Sequence, residues 1–185
     1  MSKLFIIIGN SGAGKDTVIE EVQKRFPTQF KKIKIPKRVI TRQESDTEKF
    51  EPVDKETFFK MRQSCEFILE WESYEHFYGI RHEVHDWLND GHPVLMNISR
   101  KVVHKAREKF PGLKVIFIHV PLEVTADRII ERGRESYKEV LDRVVRAQKH
   151  QDYEGADLIV DNVGDFEETS QKVLDYILES LSKNS

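Results

Sequence analysis

The sequence predicts an α/β fold, a parallel sheet with helices on both faces, formed by one domain over residues 1–185. Three observations predict it. Leu4-Phe5-Ile6-Ile7-Ile8 is an unbroken apolar run, the length of a strand and apolar enough to be buried on both faces. Across a Gly-rich turn the pattern changes to Val18, Ile19, Val22 and Phe26, which is helical spacing. Further on, apolar strands at 93–98, 114–120 and 158–160 each precede an amphipathic stretch, and this alternation implies parallel strands joined by helices. Ligands of such sheets lie beyond the carboxyl ends of the strands, so Gly9–Thr17, Arg38–Arg42 and Asn97–Arg100 are the candidate site segments.

Taken in order, Thr17 to Phe26 is the first helix, and Pro27 ends it. Residues 33–40 read as a strand opening into a loop, and the polar stretch 43–53 as a connection without periodicity. Asp54 is the expected N-cap of a helix carrying Phe58, Phe59 and Met61. From Glu66 to Tyr78, apolar and acidic residues alternate as in short strands, which departs from the strand–helix alternation on either side. That departure marks a small inserted subdomain, about 38–82, expected to bind an acceptor. Glu83 to Asn89 is a helix stopped by Gly91, and Lys101 to Phe110 a basic helix closed by Pro111-Gly112. The helix from Glu123 is interrupted at Arg132-Gly133-Arg134-Glu135 and resumes over Tyr137–Gln151. The break, about 132–138, is read as an Arg-containing lid, and Phe166 to Leu181 as the terminal helix.

Composition narrows the function. Thirty Lys and Arg against 32 Asp and Glu leave a net charge of −2, which gives no general affinity for nucleic acid or an anionic membrane. A single cysteine, Cys65, excludes a disulfide framework and a Cys-based zinc site, and no base motif accompanies it as a nucleophile. The seven histidines show no paired metal spacing; His82 and His85 read as a solvated helix face. No signal peptide and no apolar stretch near membrane-spanning length is present, so a cytoplasmic protein acting on small molecules is expected. The oligomeric state stays open.

The string Gly9-x4-Gly14-Lys15, with a strand before it and a helix after it, is a phosphate-binding loop. Its glycines let successive N–H groups face one anion, and the helix N-terminus adds partial positive charge. Gly9, Asn10, Ser11, Gly12, Ala13, Gly14, Lys15, Asp16 and Thr17 are therefore the residues expected to hold a nucleotide triphosphate, with Lys15 reaching the β- and γ-phosphates. The position after the lysine is Asp16, where a hydroxyl residue usually ligates Mg²⁺. A carboxylate beside phosphates makes electrostatic sense with a cation between them, so Asp16 is the candidate Mg²⁺ ligand, directly or through water. Its other reading is an acidic first-turn residue favouring the helix dipole. The strands at 93–98 and 114–120 offer no clear second metal-binding aspartate.

Other charged groups fall at the same end of the sheet. Arg38 and Arg42 are placed to grip an acceptor phosphate with their planar forks. Arg128, Arg132, Arg134 and Arg143 surround the Gly-containing break, where a closing segment would bring arginines onto a phosphoryl group. Asn97, Ser99 and Arg100 end a buried strand and suit hydroxyls or phosphates, although Ser99 also fits a helix N-cap. Glu70, Tyr78 and Glu83 lie in or beside the insertion and are candidates to face the acceptor, whereas Trp71 reads as insertion core.

The ordered set GNSGAGKDT, ITR, EFILEW, FYG and RGRE resembles the guanylate-kinase-like group of P-loop kinases across essentially the whole chain. Within it, the chain is more similar to the ribose 1,5-bisphosphate phosphokinases of phosphonate catabolism. The resemblance implies ATP-dependent phosphoryl transfer to the 1-phosphate of ribose 1,5-bisphosphate, giving 5-phosphoribosyl 1-diphosphate and ADP with Mg²⁺ as cofactor. Lys15, Arg132, Arg134 and Arg143 are then the catalytic residues, and Arg128 and Asn162 join the ATP side. Guanylate kinases usually carry a second arginine where this chain has Ser45, and an acidic strand end where it has Asn97-Ile98-Ser99-Arg100. Glu70, however, matches the carboxylate with which they read guanine, which keeps GMP as the alternative acceptor. A non-catalytic interaction module of the group commonly loses the phosphate loop, and here Gly9, Gly14 and Lys15 are all present.

Overall fold

The computed structural model describes residues 3–43, 49–131 and 137–183. In chain order these run β1 (Leu4–Gly9), α1 (Lys15–Arg25), β2 (Val39–Ile40), β3 (Glu51–Pro52), α2 (Lys55–Gln63), β4 (Phe67–Ser73), β5 (His76–Arg81) and α3 (Glu83–Asn89). There follow β6 (Val94–Asn97), α4 (Val103–Lys109), β7 (Lys114–His119), α5 (Leu122–Glu131), α6 (Tyr137–Gln148), β8 (Leu158–Asp161) and α7 (Phe166–Ser182). They form two compact units, one of residues 1–4 and 27–113, the other of residues 5–26 and 114–185.

The second unit carries the parallel strands the alternation predicts. β1 runs parallel to β7, with Ile6 opposite Val115 and Gly9 opposite Ile118, and β7 runs parallel to β8. Leu4 to Ile8 are all buried, as a strand covered on both faces requires. α1 packs on α7, and the buried residues are Val18, Ile19 and Val22 on one helix and Val173, Leu174 and Ile177 on the other. These positions recur at helical spacing, so each helix buries one stripe. Asp165 caps α7 by accepting from the Glu167 amide at 2.8 Å.

The first unit contains a mixed four-stranded sheet in the order β3–β2–β5–β4. β4 and β5 form a hairpin whose two turn residues, Tyr74 and Glu75, both have positive φ (51° and 61°), which matches the right-handed twist of the strands. Trp71 lies opposite Tyr78 and Glu70 opposite Gly79. Side chains alternate across a strand, so these two pairs occupy opposite faces of the sheet. One face packs on α2, where Phe58 and Met61 meet Val39, Val53, Phe67 and Phe77. Phe67 lies against Gly79, where a Cβ would stand 2.5 Å from its ring.

Two expectations change here. The strand expected over 33–40 is reduced to Val39–Ile40 and a single bridge between Lys34 and Val94. Pro36 lies between them; it has no N–H to donate and biases the residue before it, so a continuous ladder cannot form. The connection at 43–53 ends in a short strand, β3, parallel to β2, while residues 44–48 lie outside the described part. Its ladder bonds come from the Glu51 and Val53 amides, which leaves Pro52 at the sheet edge where a missing donor costs nothing.

α2 begins at its predicted cap: the Asp54 carboxylate accepts from the Thr57 amide at 2.7 Å, and this bond lowers its pKa. It ends in a Schellman motif, with the Cys65 amide donating to Arg62 O and the Glu66 amide to Met61 O, both at 3.0 Å. The motif needs a left-handed residue, and Cys65 supplies it at φ 54°. Glycine adopts that conformation without Cβ strain, so Cys65→Gly is expected to stabilise the fold by about 1 kcal/mol, read as a higher urea midpoint at unchanged m-value. Among the described residues no helix is long and apolar enough to cross a membrane.

Candidate active site

The phosphate loop takes the form its glycines require. Gly9 closes β1 where an added Cβ would lie 2.6 Å from the Ile118 carbonyl oxygen, so only glycine lets β1 and β7 approach there. Gly12 and Gly14 have φ of 82° and 75°, the left-handed geometry that curls the loop back and hands it to α1. α1 therefore starts at Lys15, not at Thr17 as the periodicity suggested, because the left-handed Gly14 is its cap. The Lys15 ammonium donates to the carbonyls of Gly9 (3.0 Å) and Asn10 (2.8 Å), which holds it at the loop mouth. Asp16 is half-buried in the first helical turn and Thr17 is exposed.

Behind the loop stands a buried polar pair. Asn162, just past β8, is fully buried; its amide donates to the Ala13 carbonyl at 2.8 Å, and its oxygen accepts from the Thr169 hydroxyl at 3.1 Å. Both ends of this side chain are committed within the protein. Through these bonds Asn162 braces the loop from inside. Thr169, which periodicity alone marks as a polar break in a buried stripe, completes that brace.

In front of the loop lie the arginines. Arg143 on α6 donates to the Ser11 hydroxyl at 2.7 Å. Arg128 on α5 sits with its guanidinium 5.2 Å from the Phe166 ring centre, and burial lowers its pKa, an effect opposed by Glu131. Phe166 is the residue the sequence reading missed, because its role is positional: its ring lies under both Arg128 and Gly14. Arg132 and Arg134, expected in the lid, lie outside the described residues.

The acceptor candidates of the first unit do not share one face. The Glu70 carboxylate accepts from Arg62 Nε at 2.6 Å on the α2 side of the sheet. The Arg62 guanidinium in turn lies 5.0–5.5 Å from the rings of Phe58, Phe59 and Phe77. Tyr78 is buried on the other face, stacked on Trp71 with centroids 5.3 Å apart and planes at 6°. Glu70 and Tyr78 thus point apart, which the linear spacing did not reveal. Trp71 is core, as expected. Arg42 lies over Phe50 at 4.8 Å, and the Arg38 carbonyl accepts from the Glu51 amide in the β2–β3 ladder. Asn97 is buried at the end of β6, and Arg100 opens a 3₁₀ turn whose N-cap is Ser99, so the capping reading of Ser99 has a structural basis.

Glu83, first in α3, has its pKa raised, chiefly by burial; Arg81 and Lys34 pull it down and Glu51 pushes it up. The folded chain therefore binds this proton more tightly than the unfolded one. The stabilisation it brings is complete below the unfolded-state pKa and is lost as pH rises through the raised folded-state value. Glu83→Gln is expected to gain stability relative to the parent as pH rises across that window, measured as urea midpoints from pH 4 to 7. A difference independent of pH contradicts the assignment.

Among the described residues no three His, Cys, Asp or Glu side chains cluster as a metal cage. The half-buried Asp16 carboxylate, one residue past Lys15, fits a cation carried in with nucleotide phosphates.

A glycine loop between a buried strand and a helix, with arginines approaching from α5 and α6, defines a P-loop enzyme of phosphoryl transfer. The chain belongs to the guanylate kinase family, whose profile matches residues 1–180. It is similar to the ribose 1,5-bisphosphate phosphokinase PhnN of Rhizobium etli, 36% identical over 174 residues that span 92% of this chain and 87% of the relative. The PhnN of Pseudomonas paraeruginosa is 32% identical over 177 residues, 95% of each chain. Among solved structures, a guanylate kinase from Anaplasma phagocytophilum superposes with a TM-score of 0.72 at 22% identity, over 96% of this chain and 85% of that one, a likeness of fold.

Proposed function

We propose that this protein is a kinase that transfers the γ-phosphoryl group of ATP to the 1-phosphate of ribose 1,5-bisphosphate, yielding 5-phosphoribosyl 1-diphosphate and ADP. Relatives that carry the ribose 1,5-bisphosphate phosphokinase name over most of both chains support this reading. So does one observation in the first unit: Glu70, the carboxylate that would accept the N–H edge of guanine, is already paired with Arg62 and lies on the face opposite Tyr78. A sugar bisphosphate asks for cations and hydroxyl partners and has no base to read.

The reaction needs no general base, because the acceptor phosphate is ionised at neutral pH. One of its oxygens forms a bond to the γ-phosphorus while the bond from that phosphorus to the β–γ bridging oxygen breaks, and the electron pair leaves on ADP. Catalysis is then positioning and charge neutralisation. The loop amides and Lys15 hold the β- and γ-phosphates, and Arg143, with Arg132 and Arg134 of the lid, neutralises the transferring group. Asp16 would hold Mg²⁺, directly or through water, and the ion would add to the neutralisation of the polyphosphate. Arg38, Arg42, Asn97 and Arg100 are assigned to the acceptor's phosphates and hydroxyls. Arg128, over Phe166, is assigned to the nucleotide. The site takes small molecules, ATP and a phosphorylated acceptor.

The test offers ribose 1,5-bisphosphate and GMP separately with MgATP and follows ADP release, identifying the sugar product by phosphorus NMR. Turnover on the bisphosphate alone is expected. A higher kcat/KM for GMP would overturn the reading and make Glu70 the base-reading residue.

A further inference from the structure

The Asn10 side chain has no task in the phosphate-loop motif, which uses backbone amides and Lys15. In the structure its amide turns away from the loop to the end of α6. It donates to the carbonyls of His150 (3.1 Å) and Ala147 (3.4 Å). The last carbonyls of a helix lack the amides of a following turn; Ala147 O also accepts from the His150 amide (3.1 Å) and the Gln151 side chain (2.7 Å), and Asn10 adds the tie to the loop. Ala147 lies four residues, one turn, after Arg143, which places both on the same stripe of α6. Arg143 donates to Ser11, the neighbour of Asn10. Consecutive loop residues thus grip consecutive turns of one helix, and Ala147, buried to 2% exposure, has a side chain small enough to allow it.

We propose that Asn10 is a positioning residue: by clamping the last turn of α6 it fixes the register in which Arg143 meets the phosphate loop. Asn10 then acts on the reaction through Arg143 and not on the nucleotide itself. The chemistry is specific to an amide. Asp at this position would turn carboxylate oxygens towards two carbonyls, and Ala would remove the donor that ties both carbonyls to the loop. The inference rests on the kinase reading above, since it assumes that Arg143 serves phosphoryl transfer.

The test is a kinetic double-mutant cycle with an independent structural readout. Asn10→Ala is expected to lower kcat about 10-fold while the ADP dissociation constant, measured by calorimetry, stays within two-fold. In an Arg143→Ala background the same substitution should lower kcat no further. Hydrogen exchange should show faster exchange at the amides of 145–150 in Asn10→Ala, with the amides of α7 unchanged. Multiplying effects on kcat would overturn the proposal, as would a loss of ADP affinity equal to the loss of kcat/KM, which makes Asn10 a direct ligand. Unchanged exchange over 145–150 also overturns it. Failure of the kinase reading is distinguishable, because it shows in the parent protein as no turnover on ribose 1,5-bisphosphate, whereas the exchange result needs no acceptor.

Discussion

Replacing Lys15 by alanine is expected to reduce kcat/KM by about 10³-fold or more while leaving the fold intact. The ammonium is the one mobile cation the loop itself contributes, and it stands at the loop mouth on the carbonyls of Gly9 and Asn10. Those are weak partners for a full positive charge, and a phosphate oxygen is a much better one, so the lysine exchanges them at small cost. In the transition state, charge spreads over the transferring group, and losing a cation aimed at it removes stabilisation that water in a closed site cannot replace. The side chain is half-exposed at the loop mouth and is not part of the buried core. The checks are steady-state kinetics and a urea unfolding curve. Near-parental turnover in Lys15→Ala would contradict the loop's assignment, and a collapse of stability would show that the lysine supports the fold.

Gly14→Ala should damage both stability and activity. At φ 75° a residue with a Cβ pays about 1–2 kcal/mol for the left-handed conformation alone. The new methyl would also lie 2.6 Å from the Phe166 ring and 2.7 Å from the Asn162 amide nitrogen, so the loop, the ring or the brace has to move. Total destabilisation of about 2 kcal/mol or more is expected from strain and overpacking together. Because Asn162 carries the hydrogen bond to Ala13, the movement reaches the loop amides, and kcat/KM should fall about 10²-fold even at temperatures where the variant is folded. Gly164 is the matched control: nothing lies within 4 Å of its would-be Cβ, so Gly164→Ala should change the urea midpoint very little. Equal effects at the two glycines would contradict the packing argument.

Much of the fold was legible in order and type. The parallel strands β1, β7 and β8, the helices that follow them and the Asp54 cap all rest on local signals: apolar runs, helical spacing and a cap residue. The misreadings were local too. Pro36 interrupts an otherwise strand-like stretch, and β3 is two residues long, below what alternation can signal. The family was legible from the ordered motifs, and the profile match over 1–180 agrees with it.

What the sequence determined by itself was the phosphate loop and the chemistry it allows, because Gly9, Gly12, Gly14 and Lys15 act through neighbours a few residues away. What only the tertiary structure decided was where polar side chains spend their hydrogen bonds. Asn162 turned inward to Ala13 and Thr169, Glu70 to Arg62, and Asn10 to the end of α6. Asn162 and Ala13 are far apart in sequence, and Glu70 and Tyr78 are close in sequence yet on opposite faces. The reason is physical: a glycine's freedom belongs to its own backbone, whereas a carboxylate or amide takes whichever partner the packing of distant elements brings within reach.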